Sequence, residues 1–299
     1  MVNSTKSSTN GAHDLAPVHA ETLSVPGTGS FTVGDIERAL LSLFPKNQAE
    51  SWDKMGLLVG DPSVRVTNVG IALDPTLSAV RQAHRMGCQL LLTHHPVFIE
   101  APESFTPASQ SVVSPGSVVF EAARLGVALM NFHTALDVNP RVPQLISSML
   151  GLSFQGIVDV VYPESQRGYG HLCYPNEESI TLRTLAARCV SVFGRIPRVW
   201  GDFDMRVQSV VTCTGSQGDL AQICVERGHD VLICGEIRYH DALPAAEAGL
   251  GIIELGHDVS ELPLCLVLAD ALEEIGMART AMHIIDQNCN WLTPEAVRK

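Results

Sequence analysis

Apolar residues fall into two periodicities along this chain, and the two alternate. After Thr32, the positions Ile36, Ala39, Leu40 and Leu43 share one helical face, and Pro45 stops the run. Thr32-Val-Gly-Asp35 has the form of a capping box, in which each side chain satisfies the other residue's backbone N–H. Unbroken short apolar runs predict buried strands at Asn68–Leu73, Gln89–Thr93, Val127–Phe132, Val207–Cys213, Val231–Cys234 and Ile252–Leu255. Helical patterns lie between them: Thr76 to Gly87, Val118 to Leu125, Thr181 to Phe193, Leu220 to Arg227, and a long helix from about Ser260 to Ile275. Residues 97–117 read as a Pro/Ser-rich loop, and a less regular stretch lies between the strand ending at Phe132 and the helix at Thr181. Strands alternating with helices predict an α/β fold with mainly parallel or mixed sheets covered on both faces.

The pattern also repeats. Shifted by 141 positions, Arg65–His95 aligns without gaps on Arg206–Glu236; Arg65, Val66, Val69, Gly87 and Leu91 meet Arg206, Val207, Val210, Gly228 and Leu232. The next strand of each copy ends in a matched pair, His133-x-x-x-Asp137 and His257-x-x-x-Glu261. An internal duplication accounts for both matches. It predicts a tail at 1–30 and two similar halves, 31–150 and 151–299, forming one metal-binding unit with the site between them. Ligands in such sheets bind at the carboxyl ends of the strands.

Composition narrows the partners. Aromatics make up only 5% of the 299 residues, so the core must be aliphatic. The net charge is −12 and only four lysines occur, which excludes the basic surface that nucleic acid requires. None of the eight cysteines forms a C-x-x-C pair, which removes zinc-ribbon and thioredoxin readings and favours a reducing, cytoplasmic setting. No apolar run reaches the length of a membrane span. Residues 1–30, rich in Ser, Thr, Gly and Pro, read as a disordered tail.

Chemistry concentrates where strands end. His94-His95-Pro96 follows a strand directly, and a proline there fixes the local backbone. His257 and Glu261, four apart, share one face of a helix, a common metal-binding spacing. His133 and Asp137 have the same spacing. Histidines and carboxylates without cysteine suit Zn, Fe, Mn or Co. Glu236, Tyr239 and His240 occupy the loop equivalent to His94-His95 and are candidates for supporting contacts or proton transfer. Asp74 ends a strand on the same side and is a candidate for orienting a histidine.

Trp52-Asp53-x-x-Gly56-Leu57-x-x-Gly60, Leu73-Asp74, Thr93-His94-His95-Pro96, His133-Thr134-x-x-Asp137, Gly235-Glu236-x-Arg238 and Gly256-His257-x-x-Ser260-Glu261 together resemble the motif set of the type 2 GTP cyclohydrolase I-like family, also called Nif-three-like dinuclear metal-centre proteins. The resemblance spans about residues 32–290. It implies two divalent ions per chain, a toroidal homohexamer, and ligands at His94, His95, Asp137, His257 and Glu261, with Glu261 bridging. It also implies a metal-dependent hydrolase whose substrate is GTP or another nucleotide; such an enzyme needs a proton-transfer group near the metals, for which His133 and His240 are the candidates. A non-catalytic metal-binding scaffold would keep the same ligands. Lys54 and Tyr239 depart from the family pattern, where Asn and His are usual.

Overall fold

The computed structural model describes residues 31–109, 112–288 and 290–291. The expected tail at 1–30 lies outside the described residues. Two mixed sheets carry the fold. The first orders its strands Met282–Ile284, Val69–Ala72, Leu90–Thr93, Ala128–Asn131 and Gly56–Val59; only the last pairs antiparallel. The second runs Arg198–Trp200, Gly251–Glu254, Val231–Cys234, Val210–Thr212, Arg167–Pro175 and Leu152–Tyr162. Its three central strands are parallel and its outer pairings antiparallel. The central strands are buried along their whole length, as continuous apolar runs require when helices cover both faces.

Local chemistry sets the helix ends. In Val33–Leu43 the Thr32 hydroxyl accepts from the Asp35 N–H, and the Asp35 carboxylate accepts from the Thr32 N–H. The helix Leu77–Arg85 is capped by the Thr76 hydroxyl. Helices Pro115–Leu125, Leu182–Phe193 and Gly218–Arg227 stop at Gly126, Gly194 and Gly228 in the left-handed region.

Three expectations need correction. The long helix expected from Ser260 to Ile275 is two helices, His257–Glu261 and Leu264–Glu274, separated at Pro263, which has no N–H to continue the ladder. The expected strand Val207–Cys213 is broken into Arg206–Val207 and Val210–Thr212. Part of the stretch read as irregular is the longest hairpin in the described residues, Leu152–Tyr162 with Arg167–Pro175.

Sheet membership also departs from a division at residue 150 held to the end of the chain. The helix Leu264–Glu274 buries Leu264, Val267, Leu268 and Leu272 in the core with Ile36, Leu40, Ile71 and Leu92, and Met282–Ile284 forms the edge of the first sheet.

Candidate metal centre

The parallel strands of both sheets release their polar residues at the same ends. His94 and His95 follow Leu90–Thr93; His133 and Asp137 follow Ala128–Asn131. From the second sheet come Thr214 and Gly215 after Val210–Thr212, Glu236 after Val231–Cys234, and His257 and Glu261 after Gly251–Glu254. These residues meet: His95 Nε2 lies 3.1 Å from Glu261 Oε2, and His257 Nε2 lies 3.2 Å from the same oxygen.

Every imidazole is held by its other nitrogen. His94 Nδ1 donates to the Phe132 carbonyl at 3.1 Å. His95 Nδ1 meets Asp74 Oδ1 at 2.8 Å, His133 Nδ1 meets Asp53 Oδ1 at 3.0 Å, and His257 Nδ1 meets Glu236 Oε1 at 3.0 Å. A partner on Nδ1 fixes the ring and leaves Nε2 for a metal. Ligand atoms of His94, His95 and His133 lie within 4.8 Å of one another, as do those of His95, His257 and Glu261. Asp137 Oδ1 is 3.6 Å from His94 Nε2 and accepts from the Thr214 hydroxyl at 3.4 Å.

Two atoms of this group test the fit of a metal directly. His94 Nε2 and Glu261 Oε2 are buried and have no aligned hydrogen bond. The imidazoles near Glu261 Oε2 are close in distance, but their N–H directions miss it. Leaving a buried polar atom unpaired costs about 1–3 kcal/mol, and orphaned atoms on facing groups could be satisfied by a cation. The donor set of imidazole and carboxylate suits a borderline divalent ion.

The electrostatics agree. Burial alone disfavours a charged His95, yet its hydrogen bond to Asp74 and the Glu261 carboxylate beside it push it up to about 10. The Glu261 carboxylate beside it outweighs burial at His257 and raises it to about 9. Burial works against ionised Glu261, but His257, His94 and His95 hold it well below the usual carboxylate range. Burial raises Asp137.

The sequence-predicted residues divide in two. His94, His95, Asp137, His257 and Glu261 converge, and Asp74 and Glu236 hold His95 and His257. His133 joins a ligand group as well as lining the cleft. His240, expected as a proton-transfer group, is instead exposed on the helix Tyr239–Glu247 with its ring edge-on to Tyr239, and it does not line the cleft. Reading the motifs had assigned no role to Asp53, although it stood in the Trp52-Asp53 pair. Its carboxylate takes His133 Nδ1 and both the N–H and hydroxyl of Thr134. Burial opposes its ionisation, but these bonds bring it down to about 2.

Gly215 was also unread. It sits 141 positions after Asp74, where the first half has its own orienting acid. Its φ is +65°, and a Cβ there would stand 2.6 Å from Glu261 Oε1. Only a residue without a side chain lets the second-sheet loop approach the carboxylate so closely.

The cleft over this group has a volume of about 490 Å³. It is lined by Glu50, Trp52, His133, Thr134, Asp137 and Tyr169 on one side and by 214–217, Asp219, His257 and Glu261 on the other.

Comparison with known proteins gives a consistent result. The Duf34/NIF3 (NGG1p interacting factor 3) family profile matches residues 31–290. A Streptomyces coelicolor protein named GTP cyclohydrolase 1 type 2 homolog is 31% identical over 253 residues, covering 81% of this chain and 86% of its own. A Clostridium perfringens protein of the same name is 27% identical, covering 81% and 91%. Among solved structures, a hypothetical protein from Staphylococcus aureus superposes with a TM-score of 0.77 at 24% identity, covering 89% of this chain and 99% of its own. A Bacillus cereus protein related to NIF3 gives 0.76 at 18% identity, covering 88% and 99%. At these identities the two structures speak to the fold.

Proposed function

Because the chain belongs to the Duf34/NIF3 family, we propose that its convergent histidines and carboxylates hold two divalent ions and serve a metal-dependent hydrolase acting on a purine-type substrate. The observation that carries this reading is the pair of buried, unpartnered atoms, His94 Nε2 and Glu261 Oε2, among imidazoles whose Nδ1 atoms are all held from behind. His94, His95, Asp137, His257 and Glu261 would be the ligands, with Glu261 shared. When bound, such ions supply Lewis acidity and lower the pKa of water toward neutrality.

The chain's own groups do the rest. His94 and Glu261 are closed off from water, so charges there act in a low-dielectric setting. His133, its Nδ1 held by Asp53, keeps Nε2 for exchanging a proton at the cleft it lines. The purine part of the reading is supported by the relatives' name, which attaches GTP to them. Assembly into a homohexamer is part of the same proposal.

Elemental analysis of the purified protein, followed by a turnover screen of nucleotides and nucleosides with the metal found, tests the reading. Two ions per chain are expected. His133→Ala should keep the fold and lower turnover by roughly 100-fold, the usual scale for a lost acid–base group. Protein that binds no divalent ion would overturn the proposal.

A further inference from the structure

The charge of the cleft narrows the substrate class. Five carboxylates, those of Asp53, Asp74, Asp137, Glu236 and Glu261, surround the four imidazoles. Glu50 and Asp219 add two more on the cleft wall. The Glu50 carboxylate is held there by the Tyr169 hydroxyl, which donates to it at 3.1 Å. Among the described residues, no Lys or Arg lines the cleft. Lys46 and Lys54 line a separate cavity on the other side of Glu50 and Asp53, and the Arg167 guanidinium is engaged with the Gln48 side chain. Two divalent cations offset four negative charges and leave the site still negative. A triphosphate would bring about four more against this wall, where like charges repel.

The cleft does offer an aromatic face. Trp52 lines it yet is 50% exposed, with its ring edge-on to His133 at 5.6 Å and 70°. A large apolar ring left half in water beside buried polar groups is an unused stacking surface. Ser216 and Gln217 on the wall supply hydrogen-bonding groups for the edge of a heterocycle. The volume of about 490 Å³ lies within the usual range of small-molecule sites.

We infer that the cleft takes an uncharged planar heterocycle of nucleobase or nucleoside size, stacked on Trp52, and discriminates against a nucleoside carrying a phosphate chain. This rests on the cleft being the working site of the proposed metal centre. The base stacks on the indole, and the acids at Glu50 and Asp219 exclude the anionic tail.

Isothermal titration of guanosine and of GTP, without added magnesium, tests the inference on two preparations: the protein stripped of metal and the protein reloaded with a measured content of zinc. Guanosine should bind at least tenfold more tightly than GTP to both. Trp52→Ala should weaken guanosine roughly tenfold, in the range of a lost base–aromatic stack, while its thermal midpoint stays near that of the parent, because Trp52 is half in water. The double variant Glu50→Gln with Asp219→Asn should narrow the gap between GTP and guanosine. GTP binding as tightly as guanosine would overturn the inference, as would an unchanged guanosine affinity in Trp52→Ala or no binding of either purine. A chain that takes up no zinc would sink the metal reading instead, and the ranking would still be read on the stripped protein.

Discussion

Asp53 shows how much a single side chain can carry. Its carboxylate fixes the His133 ring and closes two bonds with Thr134, and its side chain is inaccessible to solvent. Its pKa is held at about 2, against an ordinary 3.8. A carboxyl depressed in the folded state contributes stability above its ordinary pKa and loses it as pH falls through the folded value. Asp53→Asn should therefore lower unfolding free energy at pH 7 by about 1–2 kcal/mol, after allowance for solvent screening. The deficit should shrink between about pH 4 and pH 2. Urea titrations of both proteins across that range check this; a deficit that stays constant would show that the carboxylate's charge is not what matters. Gly215 makes a sharper case at the ligands. With a Cβ 2.6 Å from Glu261 Oε1, Gly215→Ala must displace that carboxylate or its own loop. Metal content should fall in Gly215→Ala, as it should in Asp137→Asn or His257→Ala, with the far-ultraviolet dichroism of the parent. The ligands were legible in the sequence because they sit in short motifs at strand ends. Asp53 and Gly215 were not, because their roles depend on contacts 80 and 46 positions away, to His133 and Glu261, which only the folded chain makes.

At the scale of elements, the parallel strands were legible because both faces are buried and each reads as an unbroken apolar run. The hairpin Leu152–Tyr162 with Arg167–Pro175 was not. Leu152–Tyr162 is mostly half-exposed or exposed, with only Leu152 and Val158 buried, and register shifts near Phe154 and Val160 break the period. Met282–Ile284 is only three residues long, half-exposed, and too short to show any period. Yet the segment it opens supports the site from both sides. Gln287 accepts from the N–H groups of Leu73 and Asp74 and donates to the Asp74 carbonyl, fixing the acid that holds His95. Trp291 donates to Asp258 in the short helix that carries His257 and Glu261, and the Arg195 guanidinium covers its ring. Gln287→Ala leaves two backbone donors without a partner, one of them buried, and should cost about 1–3 kcal/mol. It should also speed metal loss to a chelator, whereas Gln287→Glu, which keeps the acceptor, should retain the slower rate. Equal rates of loss in the parent and Gln287→Ala would show that Asp74 needs no such support.

For the whole molecule, the open question is assembly, and the chain's outer surface bears on it. The loop at 97–117 does not cover the cleft: none of its described residues lines that cavity. Val97 is buried and Phe98 packs against the core of the first half, but Phe105, Val112 and Val113 are 51%, 60% and 66% exposed. Apolar side chains this open, on a loop that contains Pro102 and Pro107, are the kind of surface that association covers. Among the described residues no helix is long and apolar enough to cross a membrane, so a bilayer-spanning helix does not account for them. If these side chains lie between copies of the chain, light scattering on a sizing column should give about six times the 32.2 kDa of one chain. Phe105→Glu would place a charge in each contact and should shift the mass toward the monomer while leaving the metal content of each chain intact, since the loop and the ligands share no residue. A parent protein that elutes as a monomer would remove the loop's proposed role, and a hexamer unmoved by Phe105→Glu would place the contact elsewhere on the surface. The acidic chain makes the test more demanding. Copies each carrying a net charge of −12 repel one another, so raising the salt concentration should strengthen the assembly if apolar burial holds it.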